Sequence, residues 1–224
     1  MGKFLASLLV ITLALSSCSD QSGFQGQRES TFVRYKLVYD NAKYQTVAST
    51  EFFDYNENGK KLNLNISAKP VIRYNNSRSQ IEFSERDLMY YKVFPGKITS
   101  LTSAYEFTAN TQPYSNYLIL PNPVSLPSSF NSLVKSDGLS LTFSGNLVDA
   151  NEKVVLKIGD LVFENSTISS NKFELSAQDL QSLPIGNVVA NISRIKRLDA
   201  TDAAPAGGIK QTEYVSGEKI ITVF

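Results

Sequence analysis

The sequence predicts an all-β protein built of two β-sandwich modules behind an N-terminal address segment. Three observations lead there. Short runs rich in β-branched and aromatic residues alternate polar and apolar positions with period two. Turn signals such as Asn58-Gly59 and Pro95-Gly96 separate them. No helical pattern extends beyond about one turn. Thirteen Phe and eleven Tyr supply the large apolar side chains that a packed core requires.

In the first half, Thr31–Tyr39 reads as a strand with Arg34 and Lys36 facing away from the apolar positions. Gln45–Phe53 reads as a second strand. Asn58-Gly59 marks a hairpin, with Leu62, Leu64 and Ile66 alternating on the return. Further strands are expected at Val71–Tyr74, Gln80–Phe83, Leu88–Phe94, Tyr105–Thr108 and Asn116–Leu120. Pro121, Pro123 and Pro127 then remove backbone donors in close succession, so the boundary between modules 31–120 and 121–224 falls there.

In the second half, strands are expected at Leu139–Phe143, Lys153–Ile158, Leu161–Phe163, Thr167–Ser169 and Lys172–Leu175. Ser176 with Asp179 carries the signature of a helix N-cap. Leu180 and Leu183 share one face of the resulting turn, and Pro184 with Gly186 stops it. A long strand follows at Asn187–Leu198, with Val188, Ala190, Ile192 and Ile195 inward. A small, polar loop from Asp199 to Gly208 is expected to be mobile and to carry no ligand. A last strand covers about Thr212–Phe224.

The short helical turn, Pro184-Ile185-Gly186 and the long strand after it resemble the corner before the penultimate strand of bacterial immunoglobulin-like domains. That resemblance covers about one hundred residues of the second half. The Cys-Trp-Cys core of antibody domains is absent, since the chain has no Trp and a single Cys. The layout of the whole is similar to uncharacterised Bacteroidetes-type envelope lipoproteins.

The N-terminus supplies the address. Lys3 precedes an uncharged run from Phe4 to Leu15, too short for an ordinary spanning helix and of the length of a secretory signal. Leu15-Ser16-Ser17-Cys18 resembles the lipobox of bacterial lipoproteins. The resemblance implies removal of residues 1–17 as a signal peptide and attachment of a diacylglyceryl group to the Cys18 sulfur. Acyl chains contribute about 0.8 kcal/mol per buried CH2, so two or three hold a domain at a membrane. Ser19, where an inner-membrane retention signal would carry Asp, favours the outer membrane. Residues 18–30, polar and rich in Ser, Gln and Gly, read as a flexible tether.

Composition narrows the chemistry. Lys plus Arg number 22 against 21 for Asp plus Glu, so nothing points to nucleic acid as a partner. The chain has no histidine, which excludes a Ser-His-Asp triad, an imidazole metal site and a His general base. Asp149, Glu152, Asp160 and Glu164 are the carboxylates from which a glycosidase-like pair could be drawn, but Asp149 and Glu152 flank a turn and read as solvated. Asp54-Tyr55-Asn56-Glu57-Asn58-Gly59 has the spacing of a calcium loop, with Asp54, Asn56 and Asn58 as candidate ligands. Position twelve is Asn65, not Glu, and Lys60 and Lys61 crowd the site, so the expected reading is a hairpin turn without metal. Arg194-Ile195-Lys196-Arg197 reads as basic charge on a solvated strand face. Asn75-Asn76-Ser77 and Asn165-Ser166-Thr167 match the glycosylation pattern and read as polar loops.

The expected function is therefore a lipid-anchored cell-envelope protein, non-catalytic and without cofactors, acting as a binding or scaffolding module. It would be joined to the membrane through Cys18 and partnered by envelope proteins or glycans. The alternative is an extracellular carbohydrate-binding lipoprotein. It would use Tyr90, Tyr91, Tyr105, Tyr114 and Tyr117 as a stacking surface together with the end loops. The competing reading of these tyrosines is as half-buried strand residues.

Overall fold

The computed structural model describes residues 29–67, 69–107 and 113–224. The expected signal peptide, Cys18 and all but the last two residues of the tether lie outside the described residues. The fold is all-β. Its strands are β1 (Thr31–Asp40), β2 (Gln45–Asp54), β3 (Pro70–Tyr74), β4 (Glu82–Ser84), β5 (Met89–Pro95), β6 (Ser100–Phe107) and β7 (Tyr114–Ile119). They continue with β8 (Val124–Ser125), β9 (Ser132–Leu133), β10 (Leu139–Thr142), β11 (Ser144–Gly145), β12 (Glu152–Ile158), β13 (Leu161–Asn165) and β14 (Lys172–Leu175). The last are β15 (Gly186–Asp199), β16 (Gly208–Val215) and β17 (Lys219–Val223).

One sheet crosses the proline-rich boundary. Its order is β13-β12-β15-β16-β1-β2-β5-β4, with β17 and β9 attached alongside the first part of β15. The junction is the parallel pairing of β1 with β16, from Val33 opposite Gly208 to Asp40 opposite Val215. Gly208 permits that approach, since a Cβ there would lie 2.7 Å from Val33 Cγ1 and 2.9 Å from Val33 O. A side chain would force the two halves apart.

Above this main sheet lie three smaller ones: β3-β6-β7 over the first half, and the pairs β10-β14 and β8-β11 in the second. Two cores result. The first joins Tyr35, Leu37, Phe52 and Tyr90 of the main sheet with Ile72, Leu101, Tyr105 and Leu118 of the upper one. Aromatic edges meet there, as in the Phe52–Tyr105 pair at 5.1 Å and 81°. Each such pair adds about 0.5–1.5 kcal/mol beyond its area burial. The second core gathers Leu156, Ile192, Leu141, Phe173 and Leu180 with their neighbours. Every fully buried member of the first precedes Pro121 and every one of the second follows it; partly buried Tyr214 packs against both.

Several elements depart from the sequence pattern. The return after Asn58-Gly59 is a single bridge, Lys61 opposite Phe53, and the chain then turns into a one-turn helix at Leu64–Ser67. Thr167–Ser169 is a turn, and the expected last strand divides into β16 and β17 around Ser216-Gly217-Glu218. Ser216 is buried, its Oγ accepting from Ile192 N at 3.1 Å, so a polar side chain completes the ladder at the break. The residues from Ser176 to Leu183 form successive turns. Ser176 N donates to Asp179 Oδ2 at 2.8 Å and Asp179 N to Ser176 Oγ at 3.3 Å, the reciprocal cap that the sequence carries. Leu180 and Leu183 are buried beneath it.

Candidate functional site

On β15 the inward face keeps strict period two. Val188, Ala190 and Ile192 are followed inward by Arg194 and Lys196, so Ile195 takes the opposite face. The expectation of a solvated basic cluster is thereby corrected at Arg194, which is buried, while Arg197 stays exposed. Arg194 is the largest side chain buried below 2% exposure. A guanidinium out of water must find acceptors, and three are at hand. Nη1 donates to Glu152 Oε2 at 3.0 Å and to Leu147 O at 3.2 Å, and Nη2 donates to Asn146 O.

Glu152 is likewise buried, not solvated, because β12 enters the sheet there and sets it opposite Lys196. Its second oxygen, Oε1, lies 3.6 Å from Lys196 Nζ. Lys210 stands on β16 opposite Leu198, one diagonal step from Lys196. Among the described residues its ammonium has no ion pair or hydrogen bond.

These residues form the floor of a groove of about 520 Å³, whose wall is the run from Tyr117 to Asn122, the end of β7 and the linker after it. Floor and underlying arginine together hold three cations against one carboxylate. The wall is apolar, with Tyr117 and Ile119 more than half exposed at 56% and 58%. Leu198 on the floor is 39% exposed, so the upper layer leaves this strip of the main sheet uncovered.

The wall is held by the loop from Asp199 to Gly208, which joins β15 to β16 and is stapled to β7. Asn116 Oδ1 accepts from Thr201 N at 2.8 Å and Asp202 N at 3.3 Å, while its Nδ2 donates to Asp202 O at 2.6 Å. Ser115 N donates to Asp202 Oδ2 at 2.7 Å. The expectation of a mobile loop gives way to these bonds. Asp and Thr at its start find an Asn 85 residues away in sequence, a pairing no local pattern encodes.

The tyrosines separate into two groups. Tyr90 and Tyr105 are core residues, and Tyr105 stacks on Tyr114 at 5.1 Å. Burial pushes the hydroxyls of Tyr35, Tyr74 and Tyr105 far up, and that of Tyr90 up to about 12. Tyr91 Oη donates to Glu82 at 2.5 Å. Of the five, Tyr117 alone lines the groove. The five tyrosines therefore do not form one stacking surface.

The candidate calcium ligands sit on the turn after β2. Asn56 Oδ1 accepts from Asn58 N at 2.9 Å and Asp54 N donates to Lys60 O at 2.9 Å. Gly59 closes this turn, since a Cβ would fall 1.8 Å from Asp54 O. Asp149 is exposed, and Glu164 pairs with Lys153 at 2.6 Å. Of the four carboxylates singled out in the sequence, Glu152 alone lies in the groove. Asn75-Asn76 is a two-residue hairpin turn with both φ positive, and Asn165 is buried, its Nδ2 donating to Lys172 O at 2.7 Å.

No protein-family model matches the chain, and no curated protein matches it. Among solved structures it is similar to a Ca2+-stabilized adhesin that helps an Antarctic bacterium reach out and bind ice. That similarity has 12% identity and a TM-score of 0.25, covering 86% of this chain and 49% of the other. A second similarity is to a 1.5-MDa bacterial ice-binding adhesin studied for its host cell surface retention. It has 13% identity and a TM-score of 0.24, covering 86% and 65%. The chain thus spans about half to two thirds of the length of these structures, and TM-scores this low do not define a common fold.

Proposed function

We propose that this protein is a lipid-anchored cell-envelope binding module whose ligand site is the groove between β7 and the floor of Glu152, Lys196 and Lys210. The observation that carries the reading is the uncompensated positive floor beside an exposed apolar wall. A solvated lysine is ordinary, but a half-buried one without a partner, in a concave site, is placed to receive an anion. The address part of the reading rests on Leu15-Ser16-Ser17-Cys18, with Cys18 as the lipidated residue and the outer membrane as the site of work. The two halves, 31–120 and 121–224, act as two sandwich modules welded through β1 and β16, the second Ig-like.

The non-catalytic reading is supported by the absence of histidine from the sequence and by the composition of the groove. Its one carboxylate is engaged by Arg194 and Lys196. The alternative of a carbohydrate site retains Tyr117 as its stacking ring.

Site-specific photo-crosslinking in the bacterial envelope tests the site. A benzophenone side chain at Tyr117 is expected to give discrete adducts, and the same group at exposed Ile168 none. Equal adducts at both positions, or none at Tyr117, would overturn the assignment. The intact mass of the membrane-extracted protein tests the anchor, which fails if Cys18 is unacylated.

A further inference from the structure

We infer that the groove receives an extended acidic polypeptide segment, added as a strand to the open edge of β7; this rests on the groove being the binding site. In the three-stranded upper sheet β7 is an edge, paired with β6 on one side. Ser115 N donates away from β6, to Asp202. Strand alternation then turns the N–H and C=O of Tyr117 and Ile119 to the same open side. Leu120 N donates back to Thr99 O at 2.9 Å, which fixes the even-numbered residues as the ones bonded inward.

Edge strands usually carry a charge or a proline that discourages pairing. The β7 sequence, YSNYLI, carries neither and exposes Tyr117 and Ile119. The open edge looks over the uncovered strip of the main sheet that bears Lys196, Leu198 and Lys210. A strand paired to β7 would lie about 4.8 Å beyond it, in the place where the upper layer lacks cover. Alternate side chains of that strand would point down onto the floor. Carboxylates there would meet Lys196 and Lys210, and an apolar neighbour would cover Leu198. Backbone pairing would supply affinity, and the floor would select sequence, as in other strand-addition sites.

A capped ten-residue peptide of alternating glutamate and valine or threonine, titrated into the full-length protein, tests this by amide NMR. Binding is expected with the largest shifts at Tyr117 and Ile119. Replacing every glutamate by lysine, or Lys210→Glu in the protein, should weaken it at least tenfold. Ile119→Pro removes an outward N–H without touching the ladder to β6 and should do the same. The peptide is also made with every second amide N-methylated, in both registers. One register should lose at least tenfold and the other little.

Equal binding by both methylated peptides and the parent overturns strand addition. So does an absence of peptide binding, and a trigalacturonate that binds instead in a Lys210-dependent manner assigns the groove to acidic sugars. Either result leaves the crosslinking at Tyr117 intact, whereas loss of that crosslinking removes the site itself.

Discussion

Asn116 and Asp202 exchange hydrogen bonds across the two halves of the molecule: Nδ2 donates to Asp202 O at 2.6 Å, and Asp202 N returns one to Oδ1 at 3.3 Å. Asn116 is 1% exposed, so its amide has no recourse to water if the partner is lost. This contact fixes the wall of the groove to the loop that closes its floor.

Asn116→Ala should therefore cost about 1–3 kcal/mol, the usual consequence of orphaning buried polar groups. The loss should be local as well as global. Hydrogen exchange at Thr201 and Asp202 is expected to accelerate while the amides of β12 stay protected. Unchanged exchange at those two positions would show that the loop is held by something else.

The Arg194–Glu152 pair predicts an asymmetry. Glu152→Gln leaves a buried guanidinium without its counter-charge and should destabilise by about 3–5 kcal/mol in urea unfolding. Replacing both residues by apolar ones, Glu152→Leu with Arg194→Met, should recover most of that or exceed the wild type. A double variant as unstable as the single one would contradict the assignment of the loss to unpaired charge.

Gly208→Ala tests the junction between halves. Its Cβ meets Val33 Cγ1 and Val33 O closer than atoms normally pack, and overpacking of this kind costs about 1–3 kcal/mol. Val33→Ala in the same chain should relieve part of the clash, so the two losses should fall short of additive.

Acid stability should depend on Glu51. Burial alone would push its carboxyl up, but the hydrogen bond from Lys61 and the charges of Lys36 and Lys61 outweigh it and hold the group below the ordinary 4.5. A carboxyl depressed in the folded state adds stability above its unfolded value and loses it as pH falls through the folded one. Stability should therefore decline below about pH 4.5, and Glu51→Gln should flatten that part of the profile while lowering the plateau at neutral pH. A parallel downward shift at all pH values would show that Glu51 does not titrate with folding.

Two buried tyrosine hydroxyls should respond oppositely to removal. Tyr74 Oη meets Thr50 Oγ1 and donates to Tyr90 O, both at 3.1 Å, so Tyr74→Phe is expected to cost about 0.5–1.5 kcal/mol. Among the described residues Tyr90 Oη is buried without a hydrogen bond, so Tyr90→Phe should be neutral or stabilising. Thermal unfolding of the two variants distinguishes them.

Much of the strand inventory was legible because burial on one face leaves a period-two trace. Thr31–Tyr39, Gln45–Phe53 and Lys153–Ile158 lie within a residue of the observed strands. The pattern misled where inward positions are charged. Arg194 and Glu152 look like surface residues in isolation, since each is tolerable inside only because the other stands near it. Tyr117 was among the candidate residues, whereas Lys210 was not. A lone lysine in a strand carries no local sign that its side chain faces a concavity.

The sequence by itself determined the all-β character, the turns at Asn58-Gly59 and Ser176–Asp179, and the absence of histidine chemistry, all of which follow from residues adjacent in the chain. Only the tertiary structure decided that β1 pairs in parallel with β16, that Asn116 captures the loop at Asp202, and that Lys196 and Lys210 share one groove with Tyr117. Each of these joins residues 86 or more positions apart or on separate strands, and the close approach at Gly208, the desolvated Arg194 and the uncovered strip of sheet exist only once such distant segments are packed together.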